Sequence, residues 1–425
     1  MAPSVDIVRQ LVAQRPDFFS NRIANQERTV PINDFIHMSI GLSNAYMVTT
    51  KAGRVIINTG MGIEAPVHKR IFDAVCPGPT PYIVLTQGHV DHVGGVALFR
   101  EPETKLIAQR NLAACQADDK RIKQVREAQA YIWFRQVFDT VARDAQAARP
   151  VFSQDAPVAD ISFDDSYAFE VGGVAFELFS VPGGETIDSV AVWLPQHKIL
   201  FSGNMFGPLF PHFPNFNTIR GDRYRHFEPY LASLRRVRAL DPELLIPGHF
   251  EPIAGRELIR ACLDRLEAAV DYVHTETLKG MNAGKDIWTL MRDVQLPESL
   301  YVGQGYGKVS WGVRTVWETY MGWFKGQATS ELYPTQPREV FAALVQLAGI
   351  DAVVAQGQAK LAAGDAEAAN LFAEAALAHA AKHRGALELA IGAHRALLAR
   401  TEPANFWEAG WLRTQIEKLE QALQA

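Results

Sequence analysis

Histidine and aspartate crowd into one short run, TQGHVDHVGG, at residues 86–95. His89, Asp91 and His92 offer imidazole nitrogen and carboxylate oxygen, the lone pairs that hold a divalent metal in fixed geometry. On a loop, His89 and the adjacent Asp91–His92 pair point different ways, so the run can serve two neighbouring metal positions. Surface loops collect such residues too, and the trio alone is a weak sign. Three other segments strengthen it. VPGGETIDS puts Glu185 after a strand pattern and a Pro-Gly turn, LFSGNM puts Asn204 at a strand end, and IPGHFEP puts His249 at another. An ion held by such a set polarises a substrate bond and lowers the pKa of bound water toward ~7, which is hydrolytic chemistry. Two histidines and a carboxylate with open positions also describe a non-haem iron site. Both Asp91/His92/His249 and an augmented His89/Glu185 pair therefore leave iron-dependent oxygen chemistry open.

These residues need strands and helices to bring them together. NAYMVTT and RVIIN are β-rich runs flanking a turn at 51–53, and PYIVLT is a buried strand ending at Thr86. EAPVHKRIFDAV and VGGVALFR have helical spacing, and KLIAQ is a further strand. Residues 111–150 alternate polar and aromatic positions and predict a helical insertion. Strand patterns return with SYAFEVGGVAFELFSVP, SVAVWLP and KILFSGN, then a helix over 224–239 and a last strand in PELLIPGH. Asn58, Gln87 onward, Asn204 and His249 all fall where a strand gives way to a loop, the place where α/β proteins put chemistry. After about residue 255 helical patterns dominate, with an aromatic stretch WGVRTVWETYMGWF and an Ala-rich tail beyond Pro337. Small residues at helical spacing and a break at Gly364-Asp365 suggest packed hairpins of tetratricopeptide type. The expected division is an α/β catalytic domain over 1–255 and a helical region over 256–425.

Bulk composition narrows the partners. The 425 residues are 48% hydrophobic and 21% charged, enough apolar material for a large core. A net charge of −5 without a long basic run argues against nucleic acid or an anionic membrane as partner. Cys76, Cys115 and Cys262 are scattered without a CxxC, which excludes a disulfide framework and a thiolate zinc site as expectations. Asp6 and Arg9 interrupt the start where a signal peptide needs an apolar run, and no segment has the length of a membrane span, so a cytoplasmic protein is expected.

The order of these elements resembles the metallo-β-lactamase superfamily, whose loop reads His-x-His-x-Asp-His where this chain has Gln87-Gly88-His89-Val90-Asp91-His92. The branch it looks most like is the alkylsulfatase-like one. Residues 182–186 resemble that branch's Pro-Gly-(x)-Glu-Thr segment, 218–221 its TIRG-like segment, and 306–326 its helical dimerisation region. The resemblance runs over about 31–337, and arguably into the helical tail, with no room for the sterol-carrier-like domain that ends long alkylsulfatases. It implies an α/β fold, a metallo-β-lactamase-type αβ/βα sandwich followed by an α-helical dimerisation region, and a homodimer. It implies one metal site from Gln87, His89 and Glu185 and a second from Asp91, His92 and His249, with Asn204 between them. Zinc is the favoured ion on this ground alone, one or two ions, with Fe or Mn open.

Three positions depart from that pattern together. Gln87 replaces a histidine ligand, Asn204 replaces a bridging carboxylate, and Asn58 replaces an aspartate held to orient the site. An amide oxygen is a neutral, weaker ligand, and with one oxygen it does not clamp two cations as a carboxylate does. The expectation is an asymmetric centre, with one firmly held metal at Asp91/His92/His249 and a weak or absent partner.

The expected substrate is a hydrophobic or aromatic small molecule carrying an anionic or polar group, with a sulfate ester the natural choice from the resemblance. Asp91 would be both ligand and orienter of the attacking hydroxide. Arg220, in the TIRG match, would grip the anion, since a planar guanidinium suits sulfate, phosphate or carboxylate; a salt bridge to Asp222 or Glu228 is its alternative. Asn217 lies in the same substrate stretch. Phe206, Phe210 and Phe213, with Phe216, read as an apolar wall or as loop packing, and Trp133 in YIWF as a pocket cap or as core. Ester, lactone or carbon–carbon hydrolysis, and a catalytically degenerate binding protein, remain the other readings.

Overall fold

Alternation along the strands decides the layers. In a computed structural model of the chain, which describes residues 6–146, 154–216, 219–401 and 405–425, strands β1 (Val30–Pro31), β2 (Ile36–Ser39), β3 (Ala45–Thr50), β4 (Gly53–Ile57), β5 (Tyr82–Val84), β6 (Lys105–Gln109) and β7 (Ile161–Phe163) form one sheet in sequence order. The second sheet has the order β13-β12-β11-β10-β9-β8, from β8 (Ser166–Val171), β9 (Val174–Ser180), β10 (Val190–Leu194), β11 (Ile199–Gly203), β12 (Leu244–Pro247) and β13 (Ile253–Ala254). Successive side chains on a strand point to opposite faces. Tyr46 and Val48 of β3 therefore meet Phe201, Val192 and Ile246 of the other sheet, while Ala45 and Met47 face outward onto helices. Strands buried on both faces are continuously apolar, which is why VAVWL and RVII carry no polar alternation.

Helices cover both outer faces. α2 (Ala65–Asp73), the short α3 (Val90–Val93) and α4 (Val96–Phe99) supply Ile71, Phe72, Val93, Val96 and Phe99 to the first. The second is covered by α1 (Ile7–Gln14), α8 (Phe227–Ala239) and α9 (Arg256–Asn282). On α9, Ile259, Leu263, Leu266, Val270 and Val273 recur every three or four residues and are all buried, one apolar stripe on a 3.6-residue period. The insertion expected from the sequence is helical: α5 (Leu112–Arg121), α6 (Lys123–Trp133) and α7 (Arg135–Gln146). α10 (Ile287–Asp293) and α11 (Val309–Met321) complete the helices that pack near the second sheet.

Contacts divide the chain into Met1–Tyr320 and Met321–Ala425. The change of character near residue 255 is a change of secondary structure, and the helices of 256–320 share the core of the second sheet. The second unit holds α12 (Pro337–Ala348), α13 (Ile350–Ala362), α14 (Ala366–His379), α15 (Arg384–Arg400) and α16 (Phe406–Gln424). Ala369 and Ala373 of α14 pack against Leu389, Ala390 and Ala393 of α15, small residues that let the helices approach closely. The expected break is present: Gly364 takes φ 82°, and Asp365 caps α14 by accepting from the Ala368 N–H at 3.1 Å. In the aromatic stretch Trp317 is buried, whereas Tyr320, Trp323 and Phe324 are exposed. Among the described residues no single helix is long and apolar enough to cross a membrane.

Candidate metal centre

Three strand ends and one short helix converge. α3 begins directly after His89, so Asp91 and His92 stand on its first turn. The backbone carbonyl of His92 accepts from the Thr59 N–H at 2.8 Å, and the Ser43 hydroxyl donates to the carbonyl of Asp91, which moors this turn to the ends of β4 and β2. His249 follows β12, and its loop is tied back where the Asn44 N–H donates to the Gly248 carbonyl at 2.7 Å. Asn204 follows β11.

One ligand atom each from Asp91, His92 and His249 lies within 4.8 Å of the other two. His92 Nε2 is 3.5 Å and His249 Nε2 3.8 Å from Asp91 Oδ2. His249 Nδ1 bonds the carbonyl of Leu42, which puts the proton on Nδ1 and leaves the Nε2 lone pair facing the cluster. Asn204 Nδ2 sits 3.1 Å from His92 Nε2 and 3.0 Å from His249 Nε2, so one amide group fills the space between two imidazole lone pairs. Gly248 is required beside it: a Cβ there would lie 2.0 Å from Asn204 Oδ1. Burial lowers His249 to about 4, which keeps the ring neutral and its nitrogen available as a donor. Burial pushes the Asp91 carboxyl up, but His92, His249 and His89 outweigh it and hold it below the usual range. Two neutral imidazoles and one carboxylate on a common centre fit a divalent transition metal.

The other expected ligand group has different partners. Gln87 Nε2 is 3.3 Å and Glu185 Oε2 3.6 Å from His89 Nδ1. Both oxygens of Glu185 accept from Arg225, Oε1 from Nη1 at 3.0 Å and Oε2 from Nη2 at 2.7 Å. The Tyr306 hydroxyl adds a bond to Oε1 at 3.3 Å. Arg225 also donates to Asp222 at 2.7 Å, and Asp222 accepts from Arg220 Nε at 3.2 Å and Arg126 Nη2 at 3.1 Å. Burial opposes the charge on Asp222, but Arg220, Arg225, His89 and Arg126 outweigh it and lower its pKa strongly. The sequence marks Asp222 only as a salt-bridge partner of Arg220, and it marks neither Arg225 nor Tyr306 at the site. Of the three arginines in RGDRYR the sequence singles out Arg220, yet Arg225 is the fully buried one.

Asn58 does not touch the histidines. At φ 59° it pairs through its amide with the N–H and hydroxyl of Thr86, fixing the residue before the metal loop. Beside His89 and Glu185 lies a cavity of about 280 Å³ walled by Asp118, Asp119, Arg121, Arg126 and Arg223. The apolar wall expected from Phe206, Phe210 and Phe213 is absent from it. These rings lie in the core with Phe216 and Tyr230, because the segment 302–317, some ninety residues away, covers them. The Phe213 N–H donates to the Gly303 carbonyl at 2.7 Å, and the Gly307 N–H donates to the carbonyl of Phe213 at 3.0 Å. Trp133 is buried on α6 and does not line the cavity. Asn217 and Thr218 lie outside the described residues. Arg220 makes the salt bridge to Asp222 that was its alternative.

Residues 39–249 match the metallo-β-lactamase superfamily, and residues 288–419 match the alkyl sulfatase dimerisation domain. Among curated proteins, a linear primary-alkylsulfatase of Pseudomonas sp. is 27% identical over 345 residues, 75% of this chain and 62% of the relative. An (R)-specific secondary-alkylsulfatase of Pseudomonas sp. is 28% identical over 205 residues, 46% of this chain and 30% of that protein. The chain thus spans less than two thirds of the length of either relative. The solved structure of a stereoselective inverting sec-alkylsulfatase from Pseudomonas sp. superposes with a TM-score of 0.80 at 20% identity, covering 98% of this chain and 68% of the other. That family implies a divalent metal ion, and the donor set described above fits one. The chain carries a metallo-β-lactamase superfamily domain followed by an alkyl sulfatase dimerisation domain, and so resembles the alkylsulfatase-like branch of that superfamily.

Proposed function

We propose that this protein is a metal-dependent hydrolase of organic sulfate esters and works as a homodimer. The observation that carries the reading is the convergence of Asp91, His92 and His249, the first two in one run with His89, which lines a cavity walled by arginines and carboxylates. Similarity to alkylsulfatases over both matched regions supports the choice of ester, and the dimerisation match supports the twin subunit. Asp91, His92 and His249 would hold the ion, with zinc the first choice, and Gln87, His89, Glu185 and Asn204 would surround it. When bound, such an ion supplies Lewis acidity toward a developing charge on oxygen.

The chain's own residues do the remaining work. Arg220, Arg225 and Arg126 gather on the side of the site beyond His89, paired there with Glu185, Asp222 and Asp119, and an anionic ester would compete for these guanidiniums. Arg220 would orient the sulfate group. The carboxylate of Asp91, held ionised, is placed to accept a proton and align the attacking oxygen. The leaving alcohol would face the cavity, whose charged walls favour short or polar chains over long alkyl ones. A panel of primary and secondary alkyl sulfates, aryl sulfates and neutral carboxylic esters, with and without chelator, tests this. Chelator-sensitive turnover of sulfates is expected, with Arg220→Ala raising KM for sulfates by about tenfold or more and leaving neutral esters unchanged. Equal loss on both substrate classes would contradict it.

A second reading draws on the same cluster. Two histidines and one carboxylate are the donor set of non-haem iron oxygenases. Iron in the protein as purified, together with substrate-dependent oxygen uptake, would select it over hydrolysis.

A further inference from the structure

Two histidine–carboxylate groups lie side by side in this site, and they neutralise their carboxylates by different means. The titratable side chains paired with the Asp91 carboxylate are imidazoles, His92 at 3.5 Å and His249 at 3.8 Å. Its charge is met by no guanidinium among its strong partners. Glu185 is engaged on both oxygens by one fully buried guanidinium, in the two-pronged geometry that matches a carboxylate best.

The surroundings of Glu185 add to the contrast. Asp222 shares Arg225 and is itself held by Arg220 and Arg126, and Arg126 also faces Asp119 at 3.9 Å, so three carboxylates stand against three guanidiniums. A doubly charged ion between His89 and Glu185 would enter a cluster whose carboxylates are already matched by guanidiniums. The neighbouring groups give it little in return. Gln87 is neutral, and its amide turns Nε2 toward His89. Asn204, between His92 and His249, is neutral and has one oxygen, so nothing negative would sit between two ions and screen their repulsion.

We infer that Arg225 serves as the built-in second cation of this centre: its guanidinium takes the counter-charge position on Glu185, and the chain binds a single metal ion, at Asp91, His92 and His249. This inference rests on the reading of those three residues as the metal site. Glu185 then is a positioning residue for Arg225, which is fully buried against Glu185 and Asp222, two residues of the cavity wall.

Zinc titration of the metal-stripped full-length protein, followed by calorimetry and by elemental analysis after dialysis, tests this. One equivalent of zinc per chain is expected for the natural sequence. Glu185→Gln, which leaves Arg225 its bond to Asp222, is expected to bind the same single equivalent with Kd changed by less than about threefold. His249→Ala is expected to lose it. Two equivalents in the natural sequence, or a tenfold or greater weakening in Glu185→Gln, would overturn the inference while leaving a metal-dependent hydrolase intact. Failure to bind zinc, iron or manganese at all would remove the metal reading itself, and the inference with it.

Discussion

The two halves of the site share a loop and differ in what offsets their negative charge. On one side, Asp91 is met by His92 and His249, rings that burial keeps neutral and whose Nε2 atoms are turned inward. On the other, Glu185 and Asp222 are met by arginines that cannot give up their protons. In the first half the neutral amide of Asn204 is what bridges the two imidazole Nε2 atoms, and no guanidinium is paired with the carboxylate. The second is complete as it stands. A residue type at a ligand position therefore says less than the partner it already holds.

This contrast can be broken from either side. The largest expected effect is on turnover: His249→Ala should lower kcat/KM on order of 10³-fold, the equivalent of about 4 kcal/mol of lost charge stabilisation. Unchanged turnover in a folded variant would mean that the His249 half has no part in chemistry. Next comes stability of the arginine half. Arg225→Met strands the buried carboxylate of Glu185, while Asp222 keeps Arg220 and Arg126, and removing one partner of a buried pair costs about 3–5 kcal/mol. Urea unfolding of the metal-stripped protein should show that loss, and a change below about 1 kcal/mol would show that the pair is not closed as described.

A smaller effect concerns the histidine-rich side of the fold. His68, fully buried against Gly60 with its Nδ1 beside the Ser39 hydroxyl, is lowered by burial from 6.5 to about 3. The unfolded chain therefore binds a proton there that the folded chain refuses. Stability from this group is whole above pH 6.5 and falls as pH drops toward 3. Between pH 7 and pH 5 the loss is about 2 kcal/mol. His68→Gln removes that group, so the stability gap between the natural sequence and the variant should narrow by about this amount on going from pH 7 to pH 5. A gap that stays constant would show that His68 is not held neutral. Glu64, raised to about 7 by burial, acts in the opposite direction, so the comparison must be made within this pair of proteins.

The strands, the insertion and the His249 half were legible because their signals are local. PYIVLT and LLIP are apolar runs of strand length, and the segments that carry His89, Asp91, His92 and His249 begin directly beyond them. What decided the other half was not local. Glu185 and Arg225 are forty positions apart, and Tyr306 is a further eighty-one along. Nothing in RGDRYR distinguishes the arginine that turns inward from the two on either side of the turn. The phenylalanines failed as a pocket wall for the same reason: a Phe-rich loop looks open until residues 302–317 close over it. The boundary near residue 255 marked where strands stop, whereas the first unit extends to Tyr320 because α9 lies on the second sheet.

The most direct measurement is a crystal of the full-length protein grown with zinc and analysed by anomalous scattering at the zinc edge. The account predicts one peak per chain, bonded at about 2.0–2.2 Å to Asp91 Oδ2, His92 Nε2 and His249 Nε2, with Arg225 still paired to Glu185. A second peak between His89 and Glu185, with Arg225 displaced, or no peak at the Asp91 cluster, would contradict it.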